Sequence, residues 1–209
     1  SELIVVTGSR LEQNAAFRSV PVQTIGTADI QQSGHVNLTD YLVDLPALQA
    51  SFTSIDSAGA GMPTAGMVGV NFLNLRNLGN KRTLVLVDGK RHVGGFAGSA
   101  AVDITNIPTS LVQQVDVLTG GVSAVYGADA VSGVVNFVMR RDVEGLSLTA
   151  QNRISERGDA GQTHIAATWG KSFGGGRSQI ALAYEYQKED QLSYRKRLNH
   201  GQSGPDRKS

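Results

Sequence analysis

The sequence predicts an α+β fold in two unequal parts: a small mixed sheet with short helices and Gly-rich loops, then a run of antiparallel strands. Three observations carry this. Strongly β-forming runs such as Thr83-Leu84-Val85-Leu86-Val87 are interspersed with short helical stripes up to about residue 145. Beyond Gly145 the pattern becomes apolar–polar alternation, the period of a strand with two unlike faces. Glycine accounts for 25 of the 209 residues, which favours turns and close backbone approach over long helices.

Taken in order, residues 21–25 read as a strand, and Thr27 opens a turn through Ile30. Asn37 is placed to cap a helix reaching about Leu45 and stopped by Pro46. Its residues Leu38, Tyr41, Leu42 and Leu45 fall at i, i+3, i+4 and i+7, one apolar stripe. The run from Thr83 to Val87 is a strand closed by the turn pair Asp88-Gly89. Pro108 starts a helical turn over Leu111 and Val112, and residues 115–118 and 134–139 supply two more strands. Two long Gly-rich loops, 57–69 and 94–101, interrupt the domain.

In the tail, Leu146, Leu148, Ala150 and Ile154 share a face, with Ser147, Thr149, Gln151 and Arg153 opposite. Ile165, Ala167, Trp169 and Phe173 alternate with His164, Thr168 and Gly170, and Lys171 intrudes on the apolar face. Ile180, Leu182, Tyr184 and Tyr186 alternate with Gln179, Ala181, Ala183, Glu185 and Gln187. Each run is close to the ~10 residues that a tilted strand needs to cross a bilayer. Alternation alone fits a transmembrane barrel and a soluble sheet with one wet face equally well.

Charge is nearly balanced, with 19 basic and 18 acidic residues, so no global field points to nucleic acid. There is no Cys, which excludes disulfides and thiolate metal sites. No secretory leader is visible at Glu2-Leu3-Ile4, as expected of a cytosolic chain or of a mature segment whose leader has been removed, and no run suits a membrane helix: the longest uncharged stretch, 57–75, is Gly-rich and contains Pro63. The histidines His35, His92, His164 and His200 share no metal-ligand spacing, and no cofactor is implied. No Ser/His/Asp or paired-carboxylate constellation marks an enzyme. The glycines at 120, 121, 127 and 133 lack the Lys-Ser/Thr or downstream acid of a nucleotide loop.

Several motifs together carry a family resemblance over about residues 2–150. Leu73-Asn74-Leu75-Arg76-Asn77-Leu78-Gly79, Arg82-Thr83-Leu84-Val85-Leu86-Val87-Asp88-Gly89-Lys90-Arg91, and the unit from Ile107-Pro108 to Val115-Asp116-Val117-Leu118 follow one another in order. Gly121-Val122-Ser123-Ala124-Val125-Tyr126-Gly127-Ala128-Asp129-Ala130-Val131-Ser132-Gly133-Val134-Val135-Asn136 completes the set. This series resembles the plug domain of TonB-dependent outer-membrane receptors, with Gly121 standing where the family often has Pro. The resemblance implies a plug-type mixed sheet followed by the strands of a β-barrel. Such a barrel has about 22 strands, and the chain has room after Gly145 for about three of ~10 residues each. The expectation is a TonB-box-like segment at 1–10, a plug at 11–145 and a truncated transmembrane barrel at 146–209.

The resemblance further implies an outer-membrane location in a Gram-negative bacterium, with the N-terminus in the periplasm. Glu2, Leu3, Ile4, Val5, Val6, Thr7 and Gly8 resemble a TonB box, a segment that adds as a strand to a periplasmic TonB-type energy transducer. The alternative is an ordinary first strand of the plug. Arg76, Arg140 and Arg141 are candidates for ion pairs locking plug to barrel, or else solvated surface charges. The apolar exceptions in the Gly-rich loops, Met62, Met67 and Phe96, are candidates for apical contact with an external small solute. The family serves iron chelates, cobalamin and oligosaccharides, and the implied function is active import without chemistry on the solute. The alternative is a soluble α+β ligand-binding or enzymatic domain with an appended hairpin sheet; a signalling receptor would share the plug. Lipid is expected around the barrel strands. Unclosed, those strands are expected to be disordered, to fold over the plug, or above all to self-associate through their edges. Gly127→Val is expected to harm the plug more than Gly133→Val.

Overall fold

The structure, a computed structural model, describes residues 21–33, 35, 38–57, 68–95, 98–120, 122–154, 161–174 and 178–189. It has the α+β arrangement expected. Strands β1 (Val22–Gly26), β2 (Thr83–Val87), β3 (Lys90–Arg91), β4 (Val112–Leu118) and β5 (Gly133–Met139) form one mixed sheet in the order β1-β4-β5-β2-β3. Only the β2–β5 pairing is parallel, with Val85 opposite Val135. β2 and β5 are apolar on both faces because both faces are covered.

One face of this sheet presents Ile25, Val85, Val115, Val117, Val135 and Phe137 to α1 (Thr27–Gln32), α2 (Leu38–Val43) and the loops carrying Leu48, Leu73, Leu75 and Ile104. The other presents Leu84, Leu86, Leu118 and Val134 to Val122 and Ala130. The helical stripe behaves as its spacing predicts: Leu38 and Leu42 are buried, while Tyr41 and Leu45 pack beside the core. Burying a side chain of Leu42's size contributes about 1.5–3 kcal/mol. The helix stops at Val43, two residues before the expected end. Asp44 and Leu45 continue it only as three-residue turns, donating to Tyr41 and Leu42, since the residue before Pro46 is disfavoured in helical conformation. Two four-residue helices, α3 (Ser54–Ser57) and α4 (Ser123–Tyr126), have no periodic signal in the sequence.

The family-like motifs are stitched together by short polar groups. Thr83 Oγ1 accepts the Leu75 amide at 2.9 Å and lies 3.0 Å from Ser132 Oγ, which donates to the Arg82 carbonyl. Asp88 and Gly89 both take positive φ (49° and 73°), as a two-residue hairpin turn requires. Asp88 Oδ1 accepts the Met139 amide and Asn136 Oδ1 accepts that of Gly89, so the turn is fixed to β5.

A second sheet contains β6 (Gly145–Arg153), β7 (Gln162–Phe173) and β8 (Ser178–Glu189), antiparallel in that order. Among the described residues it is open at both edges. It lies on the first sheet's domain through the contacts given below.

The expected ranking of the two glycines is reversed. Gly127 has φ 85° with only the Arg91 guanidinium near its missing Cβ, at 3.9 Å. Gly133 combines φ 136° with a Cβ position 2.2 Å from the Leu118 carbonyl oxygen and 2.3 Å from Leu75 Cδ2. Gly133→Val therefore meets both backbone strain and overpacking. It should cost more than about 3 kcal/mol or prevent folding, and Gly127→Val only about 1–2. Urea denaturation of both variants checks this, and equal midpoints would contradict it.

Candidate functional site

The second sheet is oriented opposite to a soluble one. On β7, His164, Ala166 and Thr168 are buried at 8%, 3% and 7% exposure, and they face the first domain. Register sets Ser147, Thr149 and Gln151 beside them on β6 and Ala183, Glu185 and Gln187 on β8. The other face is apolar and bare: Leu148 is 72% exposed, Leu182 61% and Tyr184 67%, with Leu146, Ile165, Trp169, Phe173, Ile180 and Tyr186 alongside. Lys171 lies on that face with Nζ 5.7 Å from the Phe173 ring centre, a cation–π contact at the strand end.

The buried polar face meets the first domain at a seam. The turn Thr109–Leu111 is opened by Pro108 (φ −61°) and closed by the Leu111 amide donating to the Pro108 carbonyl. The first amides of such a turn have no partner within it. Ser110 N donates instead to Glu185 Oε1 at 2.7 Å, and Glu185 Oε2 lies 3.7 Å from His164 Nε2. Further along β7, Gln162 Nε2 donates to Asp40 Oδ2 of α2 at 3.4 Å. At the other end, the linker entering β6 is clasped: Ser172 N donates to Glu144 Oε1 and Gln179 Nε2 to the Val143 carbonyl. The Val143 carbonyl oxygen comes within 2.2 Å of where a Cβ on Gly170 would stand, so only glycine admits the linker there.

An open cleft of about 500 Å³ lies beside the seam, bordered by His35, Asp40, Asp44, Asp56, Arg153 and Gln162. His35 Nε2 is 2.7 Å from Asp44 Oδ2. Among the described residues no group of three or more His, Asp or Glu is arranged to hold a metal ion.

Of the residues singled out from sequence, 2–8, Met62, Met67 and Phe96 lie outside the described residues. Arg76 is exposed and left-handed (φ 57°, ψ 25°), in a loop fixed by the hydrogen bond that its backbone amide donates to the Ala47 carbonyl. Arg140 is exposed, and its amide donates to the Leu111 carbonyl. Arg141 Nη2 is 4.0 Å from Asp88 Oδ2 with its side chain 80% exposed, a contact of little energetic weight. Among the described residues Arg76 and Arg140 make no ion pair. Sequence reasoning missed Arg91, whose guanidinium binds Asp129 and the Tyr126 carbonyl and so pins β3 to α4. It also missed Ser110, His164 and Glu185 as partners. The only hint was a His and a Glu on the polar side of an alternating run.

The sequence profile of the family described as TonB-dependent Receptor Plug Domain matches residues 16–134, more than half of the chain. The fold is similar to the ferric enterobactin receptor PfeA mutant of Pseudomonas aeruginosa in complex with enterobactin: TM-score 0.63, 18% identity, 88% of this chain and 27% of that one. It is similar to the siderophore receptor PirA of Acinetobacter baumannii (TM-score 0.59, 20% identity, 90% and 27%). PirA of Pseudomonas aeruginosa matches at TM-score 0.55 and 22% identity, over 81% and 28%. The chain thus spans little more than a quarter of the length of each.

Gly170→Val should displace the linker at a cost of about 1–3 kcal/mol and expose residues 140–144 to protease, while the first sheet keeps its amide protection. Unchanged cleavage would contradict the clasp.

Proposed function

Because the chain belongs to the TonB-dependent receptor plug domain family, we propose that it is the gate of an outer-membrane active-transport receptor. The family is one of transport receptors rather than enzymes. One observation supports the membrane part of this reading most: the second sheet packs its polar face on the plug and leaves its apolar face bare. That is the orientation of a barrel wall enclosing a plug, with lipid outside. It disfavours the soluble alternative, whose sheet would bury Leu148 and Leu182 and wet His164.

In this reading the receptor binds a small external solute and the plug closes the pore. Energy from a TonB-type transducer, applied through residues 2–8, then rearranges the plug. The plug comprises residues 11–145, and the wall begins with β6–β8. The solved relatives are described as siderophore and ferric enterobactin receptors, which makes ferric chelates the first solutes to test. Met62, Met67 and Phe96 are proposed as solute contacts. The exposed Arg76, Arg140 and Arg141 are proposed to reach acidic groups on further wall strands.

The test is uptake of labelled ferric chelates by cells carrying or lacking the full-length receptor, with its location checked by membrane fractionation. Uptake that needs both the receptor and TonB supports the reading. A receptor found in the soluble fraction contradicts it.

Two outcomes are expected for the chain itself. Val5→Pro removes a backbone donor and fixes φ in the pairing segment. It should abolish transducer binding while leaving the Tm of the chain unchanged, and wild-type affinity in a pull-down would contradict the assignment. With both edges of β6–β8 open, the 209-residue chain should self-associate in water and a chain ending near Arg141 should be monomeric. Light scattering on the two decides this; a monomeric full chain would contradict it.

A further inference from the structure

The seam holds a titratable group for which the gate reading gives no use. His164 is almost completely buried, its Nδ1 has no partner, and its Nε2 stands 3.7 Å from Glu185 Oε2. That separation is too long for a hydrogen bond but within reach of an ion pair. The attraction therefore exists only when the imidazole carries a charge. Glu185 in turn makes, through its other oxygen, the 2.7 Å bond to the Ser110 amide. It is a charge-assisted bond across 75 positions of chain, joining wall to plug.

We propose that His164, Glu185 and the Ser110 amide form a proton-controlled latch between the wall and the plug. Imidazole is the side chain that changes charge between about pH 5 and 8. With His164 protonated, its charge holds Glu185 in place and offsets the cost of keeping the carboxylate in the seam, so the Ser110 bond is firm. With His164 neutral, Glu185 loses that attraction and keeps only its contacts with the plug turn, so the Ser110 bond weakens. Acid tightens the gate and neutral to alkaline pH loosens it.

Among the described residues, the positions directly opposite His164 are uncharged. Gln151 of β6 and Gln187 of β8 lie directly opposite His164. The turn Thr109–Leu111 carries no titratable side chain. The next acid along the seam, Asp40, is held by Gln162 one inward position away. The plug turn contributes as well, since the Ser110 side chain and the Ser110 and Thr109 amides all favour the charged form of Glu185; His164 adds the one contribution that can change with its own charge.

The latch rests on the docking of the wall against the plug assumed in the gate reading, and one experiment separates the two. Hydrogen exchange of the Ser110 amide is measured for the 209-residue chain in detergent micelles at pH 5.5 and pH 8, as protection relative to the intrinsic rate. The wild type should lose about tenfold protection between the two, the scale of a charge-assisted bond. His164→Gln should be flat at the lower value, and Glu185→Gln should be weak at both. A pH-independent wild type, or His164→Gln retaining the wild-type dependence, overturns the latch and leaves the docking intact. An unprotected Ser110 amide at both pH values, with the Arg140 amide that bonds Leu111 of the same turn still protected, overturns the docking and the latch with it.

Discussion

β6–β8 bury a polar face and leave an apolar one bare, and the rest of the arrangement depends on that inversion. A strand has only two faces, so once Leu148, Trp169 and Tyr184 are assigned outward, Gln162, His164 and Thr168 must point at the plug. Polar groups in that position need partners. The seam supplies them from the plug's least regular parts, a three-residue turn and the linker into β6. In water the inversion would leave many large side chains solvated, each forgoing roughly 1.5–3 kcal/mol of burial. In a bilayer the same surface is satisfied. The sheet makes physical sense as a wall with lipid on one side and a plug on the other.

The plug is built to be coherent by itself. Its central strands are covered on both faces, and its turns are tied by buried short side chains such as Thr83, Ser132 and Asn136. β1 sits at the edge, held by its pairing to β4 and by the Thr24 hydroxyl on Asp116. The contacts to the wall are fewer and polar. A gate needs this hierarchy, with a core that survives movement and a seam that can part.

Much of the fold was legible because it rests on period and turn chemistry. The Thr83-to-Val87 run, the Asp88-Gly89 turn and the three alternating strands all follow from local pattern. α4 and α3 were not legible, since four residues are too few to show helical spacing. Gly133 was ranked below Gly127 because a close approach of the Leu118 carbonyl from a neighbouring strand leaves no trace in local sequence. The site was legible in outline only. Arginine is the natural residue to nominate for a lock. Among the described residues the shortest contact between the two parts uses a backbone amide, which every residue but proline carries, so composition cannot point to Ser110. Glu185 and His164 could be placed on one face by alternation, but their meeting depends on strand register.

The central claim is that the bare face of β6–β8 contacts lipid. Trp169 lies on that face and is the single tryptophan of the chain, so its fluorescence reports on the claim without labelling. The decisive measurement is quenching of Trp169 after reconstitution into vesicles whose acyl chains carry bromine, with iodide in the aqueous phase as the control. The account predicts strong quenching by the brominated chains and little by iodide. Quenching by iodide with none from the brominated chains would contradict it.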